Sequence, residues 1–332
     1  MSGAGAKRVG VIGAGAWGTA LAQVLASDGR DVLLWAREHD LVEEINHFHR
    51  NTPFLPDIPL TPKIWATSAL HDFAPCDAIL VVTPAQFMRT VLADLPPGDA
   101  DLILCSKGIE AESGALMVDV VRQVAPARPI AVLSGPTFAH EVARGQPTAV
   151  TLACQDEAQW ERLSPLIARS HFRPYRSFDI AGAEIGGAVK NVLAIACGVV
   201  EGLGLGQNAR AALIARGFAE MTRFGLAFGA EAETLAGLSG LGDLVLTCSS
   251  TSSRNFSLGK ALGEGASATA ILAGRNSVAE GAYTAPVLQG VARQKGVDMP
   301  IVDAVCALLN GSQDAKSVVS ALLTRPLREE RL

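Results

Sequence analysis

Charged residues are scarce in this sequence, and acidic ones outnumber basic ones. Only 18% of the 332 residues are charged, and 28 Lys or Arg against 33 Asp or Glu give a formal net charge of −5. A nucleic-acid-binding protein needs a basic face that neutralises phosphates. The composition therefore indicates no nucleic-acid partner.

Paired cysteines and clustered metal ligands are also missing. The six cysteines are scattered, with no C-x-x-C pair, and most lie in apolar runs. Such cysteines are usually buried free thiols of a protein in a reducing compartment. His47 and His49 are separated by one residue, but no other ligand pattern lies near them. We interpret them as surface residues and expect no metal site.

No stretch predicts secretion or membrane insertion. The first residues, M-S-G-A-G-A-K-R, lack the apolar core of a signal peptide. No apolar run reaches the roughly 20 residues that span a bilayer. The richest run, Ile185 to Val200, is interrupted by Lys190 and Asn191. We therefore expect a soluble cytoplasmic protein.

The first half of the chain alternates between strand and helix patterns. Six apolar runs are typical of β-strands: Arg8–Ile12, Asp31–Trp35, Ala78–Val82, Leu102–Cys105, Ile130–Leu133 and Ala149–Leu152. Helical patterns lie between them: Leu41–His49, Gln86–Ala93, Ser113–Val124 and Glu157–Ala168. The alternation predicts an α/β fold with a Rossmann-type doubly wound parallel sheet. Residues 51–63 contain four prolines and predict an ordered loop.

The second half is predicted to be helical. Strand patterns stop after about Asp179, and Ala209–Gly229 reads as a long amphipathic helix. The length of 332 residues is enough for one large domain or two ordinary ones, and the 49% of hydrophobic residues predict a sizeable core. We predict a dinucleotide-binding domain over residues 1–182 and an all-α substrate-binding domain over residues 183–332. A site is expected in the cleft between the two.

A glycine-rich turn follows the first predicted strand. It reads G-A-G-A-W-G from Gly13 to Gly18, with a helix and a second strand directly after it. In this order Gly13 allows a tight turn, Gly15 lets the backbone approach a pyrophosphate, and Gly18 lets the helix pack on the sheet. The helix start offers its free N–H groups to phosphates. The pattern predicts a dinucleotide site; the alternative is a structural turn without a ligand.

Arg37 stands at the position that determines the preference of a dinucleotide-binding chain for NAD or NADP. The second strand ends in W-A-R-E-H, whereas a site selective for NAD usually has an acidic residue here that holds the ribose 2′-hydroxyl. A guanidinium suits a 2′-phosphate, so NADPH is favoured over NADH. The adjacent Glu38 can still reach a ribose, which leaves mixed use open. Arg37 can also be read as an exposed loop charge.

Polar residues follow two further predicted strands. Lys107 comes directly after the strand that ends at Cys105, and S-G-P-T-F-A, Ser134 to Ala139, follows the strand that ends at Leu133. Ligands of doubly wound sheets bind at the carboxyl ends of the strands. We therefore expect these residues at the site, with ordinary surface loops as the alternative.

Lys190 is a single ammonium in a small, apolar helix, Gly186 to Glu201. Burying it is costly without a partner, a substrate or a pKa lowered for acid–base work. It can also be a solvent-facing lysine whose stem lies along the surface. Asp243 is similarly isolated in L-S-G-L-G-D-L-V-L-T, and Lys190 is its obvious partner. The alternative role for Asp243 is a helix N-cap.

A polar segment, S-S-T-S-S-R-N from Ser249 to Asn255, precedes another predicted helix. Hydroxyls, a guanidinium and an amide at a helix start are suited to a phosphate group. The segment therefore predicts a phosphate site, or alternatively a simple polar loop.

These motifs, in this order, closely resemble bacterial NAD(P)-dependent glycerol-3-phosphate dehydrogenase. The resemblance covers nearly the whole chain and also includes S-K-G-I-E, G-Q-N-A-R-A-A-L-I-A-R-G and V-A-E-G. It implies reversible NAD(P)H-dependent reduction of dihydroxyacetone phosphate to sn-glycerol 3-phosphate. It further implies a homodimer and a product that feeds membrane phospholipid synthesis.

The resemblance also implies roles for individual residues. Lys190 is the proton donor and acceptor, supported by Asp243. Substrate-binding residues are Lys107, Gly135, Thr137, Lys190, Asp243, Ser253, Arg254 and Asn255. Dinucleotide-binding residues are Gly13, Gly15, Ala16, Trp17, Gly18, Arg37, Lys107, Ala139, Arg254, Val278 and Glu280. Family members often have serine at the position of Ala16, where this chain retains only the backbone amide.

Two other readings make different predictions. Another two-domain dehydrogenase, acting on a hydroxy acid or sugar acid, would also use Lys190 but would not need a phosphate site at Arg254 and Asn255. A dinucleotide sensor without turnover would keep the glycine loop but would not need the pairing of Lys190 with Asp243. A purely structural role leaves all these polar groups unexplained.

Overall fold

A computed structural model describes residues 7–268, 271, 279–326 and 329. The chain divides into two compact units. The first contains the residues up to Lys107 together with Met117–Ile180, and the second contains Gly108–Leu116 and the residues from Ala181 onward. The short return of Gly108–Leu116 to the second unit is not visible in the sequence pattern. The division into independent domains at residues 182 and 183 stays a prediction.

The first unit is built on one eight-stranded sheet in the order β3-β2-β1-β4-β5-β6-β7-β8. Its strands are β1 Val9–Ile12, β2 Val32–Trp35, β3 Ile64–Thr67, β4 Ala78–Val81, β5 Asp101–Leu104, β6 Ile130–Ser134, β7 Thr148–Ala153 and β8 Phe172–Ser177. Strands β1 to β6 are parallel, β7 runs antiparallel to β6, and β8 is parallel to β7. From β1, the next strands in the chain are added first on one side (β2, β3) and then, from β4 onward, on the other side. Ligands of doubly wound sheets bind at such a switch point, here between β1 and β4.

Six helices accompany this sheet: α1 Ala16–Ala26, α2 His39–Phe48, α3 Met88–Ala93, α4 Met117–Val124, α5 Ala139–Ala143 and α6 Glu157–Ile167. Central strands such as β1 and β4 are buried along their whole length, as expected for parallel strands covered on both faces. The burial explains why their sequences are continuous apolar runs.

The predicted α/β fold is confirmed, with two strands and a reversal that the sequence pattern did not reveal. Strand β8 reads F-R-P-Y-R-S, whose charges and proline suit an edge strand but hide it from an apolar-run search. Strand β3 forms the other edge, with Trp65 exposed. The predicted parallel arrangement does not extend to β7, which runs antiparallel to β6.

The second unit contains helices and no strand among its described residues, and its segment Gly108–Leu116 is a non-helical loop closed by a bridge between Ile109 and Leu116. Its helices are α7 Ile180–Gly202, α8 Gly206–Leu226, α9 Ala232–Leu235, α10 Asp243–Cys248, α11 Arg254–Gly263, α12 Glu280–Gln294, α13 Pro300–Leu309 and α14 Ala315–Leu323. A π-helical turn, Leu238–Gly242, leads directly into α10. Buried aliphatic and aromatic residues of these helices form one core, separate from the core around the sheet.

Helix α7 forms the centre of this core and is longer than predicted. It starts at Ile180, so Lys190 lies near its middle rather than near its start. The helix is long and apolar enough to cross a membrane by composition, yet all of its most apolar 18-residue window is buried within the fold. Core helices of soluble proteins have this pattern.

Gly186 lets the π-helical turn approach α7 closely. A Cβ atom at Gly186 would lie 2.2 Å from the backbone oxygen of Ser239, which is impossible without backbone movement. Residues four positions apart lie on the same face of a helix. The close approach at Gly186 therefore brings the start of α10 against Lys190, one turn further along α7.

Candidate active site

Lys190, Asp243 and Thr247 form a buried cluster in the helical unit. Lys190 Nζ donates to Asp243 Oδ1 at 2.5 Å and to Thr247 Oγ1 at 2.9 Å. The Thr247 hydroxyl in turn donates to Asp243 Oδ1 at 3.4 Å. The exposed fractions of Lys190, Asp243 and Thr247 are 6%, 0% and 5%. The solvent-facing alternative for Lys190 is therefore wrong, and so is the N-cap alternative for Asp243, since Gly242 occupies that position.

The elements explain why these three side chains meet. Asp243 is the first residue of α10, and Thr247 lies four residues later on the same helix face. Lys190 approaches that face from α7. Burial raises the pKa of the adjacent Cys248 thiol well above its usual range, which indicates an environment with little water. An isolated ammonium would be unstable there, so the pair is held by mutual neutralisation and by the threonine hydroxyl.

The start of α11 provides the predicted phosphate-binding segment. Ser253 is its N-cap, and the side-chain oxygen accepts a hydrogen bond from the backbone N–H of Phe256 at 3.2 Å. Arg254 is exposed, whereas Ser253 and Asn255 are buried. The helix start is therefore formed as predicted, and the guanidinium is accessible from solvent.

Asn255 has a structural role that the sequence did not reveal. Its Nδ2 atom donates to Asn191 Oδ1 at 2.9 Å, and its Oδ1 atom accepts from the backbone N–H of Gly281 at 2.9 Å. These bonds join α7, α11 and α12 beside Lys190, the neighbour of Asn191 in the chain. The side-chain oxygen and one amide hydrogen of Asn255 are thus already engaged.

The glycine loop in the first unit fits a dinucleotide. Gly13 has φ +115°, and a Cβ atom at Gly18 would lie 1.8 Å from Gly13 O, so both positions require glycine. A Cβ atom at Gly15 would meet nothing within 4 Å, which leaves open space beside the backbone. Gly15 caps α1 without a side-chain hydrogen bond. The first N–H groups of α1 are therefore suited to a phosphate.

Trp17 supplies a second indication of a ligand at this loop. Its indole Nε1 is buried, yet no hydrogen bond to it is found within the part of the chain that the structure describes. A buried N–H group normally has a partner, and one without a partner marks a place for a ligand or water. Ala16, the first residue of α1, leaves only its backbone amide for a phosphate contact.

Arg37 lies after β2 and is largely exposed. Its Nη2 atom lies 2.7 Å from Glu38 Oε1, and the exposed fractions of the two side chains are 75% and 49%. The two residues that we weighed for ribose recognition therefore pair with each other. A 2′-phosphate has to compete with Glu38 for the guanidinium.

The strand ends bring three predicted residues together. Lys107 Nζ donates to the backbone oxygen of Gly135 at 3.3 Å, and Thr137 Oγ1 donates to the same oxygen at 3.3 Å. Gly135 has φ +156° and packs against the backbone of Val150. Ala139 is the first residue of α5, and Glu280 is the first residue of α12. Val278 lies outside the described residues.

Models of two domains of a single family match the chain. The N-terminal domain model of NAD-dependent glycerol-3-phosphate dehydrogenase matches residues 8–160, and the C-terminal domain model matches residues 179–320. The chain belongs to the NAD-dependent glycerol-3-phosphate dehydrogenase family. This membership confirms the predicted family, enzyme class and use of NAD(P).

Individual members of the glycerol-3-phosphate dehydrogenase family are similar over the full length. The chain is 68% identical to glycerol-3-phosphate dehydrogenase [NAD(P)+] of Novosphingobium aromaticivorans, over 97% of this chain and 98% of that protein. It is 67% identical to the corresponding protein of Erythrobacter litoralis, over 97% of each. A crystal structure of glycerol-3-phosphate dehydrogenase from Coxiella burnetii superposes with a TM-score of 0.92 at 38% identity, covering 96% of this chain and 99% of that one.

Thr247 and Asn191 are two polar groups beside the predicted site residues that sequence reasoning missed. Both contact residues that the motifs had singled out, namely Lys190 and Asn255. Thr247 lies four positions after Asp243, so helical spacing could have predicted it as part of the same face. The described residues contain no group of three or more His, Cys, Asp or Glu that could hold a metal. All six cysteines are free and buried, as expected.

Proposed function

We propose that this enzyme reduces dihydroxyacetone phosphate to sn-glycerol 3-phosphate reversibly, with Lys190 exchanging the proton at the substrate oxygen. The observation that carries the proposal is the buried contact of Lys190 Nζ with Asp243 and Thr247. An ammonium that the fold already holds in place can donate a proton without the entropic cost of being oriented first. The family membership supports the substrate.

In the direction of reduction, the Lys190 ammonium stabilises the charge that develops on the ketone oxygen and then donates its proton there. Asp243 and Thr247 hold Nζ in place and favour the charged amine. In the reverse direction the neutral amine removes the hydroxyl proton. The bound nicotinamide supplies or accepts the hydride, which is the chemistry of the cofactor itself.

The substrate phosphate is proposed to bind at the start of α11. Arg254 is exposed and offers its guanidinium, while Ser253 and the backbone N–H groups of the first turn offer further donors. Since Asn255 already bonds Asn191 and Gly281, we assign its phosphate contact to the backbone N–H and the remaining amide hydrogen. Lys107, Gly135 and Thr137 are proposed to contact the rest of the substrate.

The dinucleotide is proposed to bind along the glycine loop. The open space at Gly15 and the unsatisfied indole N–H of Trp17 support this placement. The remaining contacts proposed from the resemblance are Gly13, Ala16, Gly18, Arg37, Lys107, Ala139, Arg254, Val278 and Glu280. Arg37 favours NADPH, and its pairing with Glu38 limits the preference, so we expect NADH to serve as well.

The cellular setting is also a proposal. We expect a soluble, cytoplasmic homodimer that is not inserted in a membrane and whose product supplies phospholipid synthesis. The complete burial of the apolar window in α7 supports a soluble protein.

The test measures the loss of reduced-nicotinamide absorbance after addition of dihydroxyacetone phosphate, with NADPH and NADH in parallel. We expect rapid oxidation of both cofactors and competitive inhibition by inorganic phosphate. Oxidation with a hydroxy-acid precursor such as pyruvate, and none with dihydroxyacetone phosphate, would contradict the proposal. Binding of NADPH without turnover of either substrate would favour a dinucleotide sensor.

A further inference from the structure

Asn51 joins the proline-rich loop to the glycine loop. It is fully buried, with 0% of its surface exposed, and it stands at the first position of the loop over residues 51–63. Its Nδ2 atom donates to the backbone oxygen of Ala14 at 2.9 Å and to Thr19 Oγ1 at 2.7 Å. Both amide hydrogens of Asn51 are thus used on the segment that carries the glycine motif.

The two acceptors are placed where they control the shape of that segment. Ala14 stands between Gly13 and Gly15, so its carbonyl orientation is coupled to the orientation of the adjacent backbone N–H groups. Thr19, also 0% exposed, lies in α1, and its hydroxyl donates to Ala14 O at 3.3 Å. Asn51, Thr19 and Ala14 therefore form a closed triangle of hydrogen bonds behind the turn.

The two oxygen atoms of Asn51 hold the start of the proline-rich loop in place. Its side-chain oxygen accepts from the backbone N–H of Phe54 at 3.2 Å, and its backbone oxygen accepts from Leu55 N at 2.7 Å. Leu55 is buried in the core around the sheet. One amide thus ties a tight, anchored turn to the carbonyl in the middle of the glycine motif.

We infer that Asn51 is a positioning residue for the dinucleotide. It acts through Ala14 and Thr19 by holding the glycine loop in the shape that presents its N–H groups to the pyrophosphate. The inference rests on the proposed placement of the cofactor. Without Asn51 the loop has to be ordered when the cofactor binds, and that cost weakens binding.

The first experiment compares Asn51→Ala with the wild-type enzyme by calorimetric titration with NADPH and by steady-state turnover. We expect the dissociation constant for NADPH to rise about 5- to 30-fold, the effect of one or two lost hydrogen bonds. The kcat at saturating NADPH should change less than about twofold, since the cofactor, once bound, restores the loop.

Asn46→Ala is the matched control. Asn46 lies in the same unit and makes two comparable hydrogen bonds, donating to Ala66 O at 3.0 Å and accepting from Ala66 N at 2.8 Å. These bonds join α2 to β3 and do not reach the glycine loop. We expect this variant to lose thermal stability without any change in the dissociation constant for NADPH.

Thr19 provides a second test that does not depend on the folding of Asn51→Ala. Thr19→Val keeps the shape but removes the hydroxyl that Asn51 contacts, and it should weaken NADPH binding in the same direction. Thr19→Ser keeps the hydroxyl and should restore wild-type affinity. A structural role alone would not separate these two variants by affinity.

An affinity for NADPH in Asn51→Ala or Thr19→Val equal to that in Asn46→Ala would overturn the inference. A fall in kcat at unchanged affinity would overturn it as well. Failure of the proposed function would give a different result. The wild-type protein would bind NADPH without reducing dihydroxyacetone phosphate, and the variants would still differ in their affinity for NADPH.

Discussion

Lys190 and Asp243 form an ion pair inside the helical unit, with 2.5 Å between Nζ and Oδ1 and almost no exposure of either side chain. Buried ion pairs contribute little net stability, because the loss of hydration offsets most of the attraction. Their retention therefore needs another reason. Here the pair holds an acid–base group at a fixed place, where a proton can be given and taken.

Asp243→Asn tests the electrostatic part of this pair. The amide keeps the shape but not the charge, so the ammonium of Lys190 loses most of its stabilisation. Removing a charge-assisted hydrogen bond of about 1.5–3 kcal/mol should lower kcat about 10- to 150-fold. Asp303→Asn, which removes an exposed pair with Arg293, is the control and should keep wild-type turnover. Equal kcat in the two variants would refute the role of Asp243.

Thr247→Val tests the second contact of Lys190. The substitution keeps the volume but removes the oxygen 2.9 Å from Nζ, so the amine loses this hydrogen bond and keeps its contact with Asp243. We expect kcat to fall about fivefold at unchanged affinity for NADPH, the effect of about 1 kcal/mol. Thr247→Ser should restore turnover. A valine variant with normal kcat would limit Thr247 to packing.

Glu38→Gln tests the choice between the two cofactors. The substitution releases Arg37 from its ion pair, so the guanidinium becomes available to the 2′-phosphate of NADPH. The ratio of kcat/KM for NADPH to that for NADH should rise a few-fold, and Arg37→Ala should lower it about tenfold. Arg30→Ala removes another ion pair of the same unit and should not change the ratio. A ratio unaffected by Arg37→Ala would exclude contact with the 2′-phosphate.

Glu220 predicts a pH dependence of stability. Burial raises the pKa of Glu220 to about 8, against the donation of the Ile301 and Val302 backbone N–H groups and the charge of Arg223, while Asp298 raises it further. The folded protein then binds a proton that the unfolded chain releases above its ordinary pKa of 4.5. The stabilisation is fully present below that value and is lost as the pH rises through about 8.

The melting temperature of the wild-type enzyme should therefore fall more steeply between about pH 5 and pH 8 than that of Glu220→Gln, and the two slopes should converge above about pH 8. The glutamine variant keeps an acceptor for the backbone N–H groups but does not titrate. Asp314→Asn, at an exposed helix N-cap, is the comparison for a general loss of charge. Parallel pH profiles for the wild type and Glu220→Gln would contradict the predicted titration.

Local patterns with a direct physical meaning were predictable from the sequence. The glycine spacing led to the turn before α1, and the cost of an isolated charge led to the pairing of Lys190 with Asp243. Thr247 was missed because burying a hydroxyl costs much less than burying a charge and so gives a weaker signal in the sequence. The role of Asn51 depends on contacts with residues 32 and 37 positions away, which no local pattern reveals.

Edge strands and strand direction were equally hard to predict. Strand β8 contains two arginines and a proline, so it does not read as a buried strand. The reversal at β7 was missed because Ala149–Leu152 reads as a buried apolar run, and such a run carries no information on the direction in which a strand pairs.

The most direct test of the account is kcat for the reduction of dihydroxyacetone phosphate by the Lys190→Ala variant. We predict a fall of about 10²–10⁴-fold, the scale of a positioned acid–base group, with unchanged affinity for NADPH. Lys260→Ala, which removes an exposed lysine paired with Glu264 in the same unit, should retain wild-type turnover. A Lys190→Ala variant that turns over at the wild-type rate would contradict the assignment of proton transfer to Lys190.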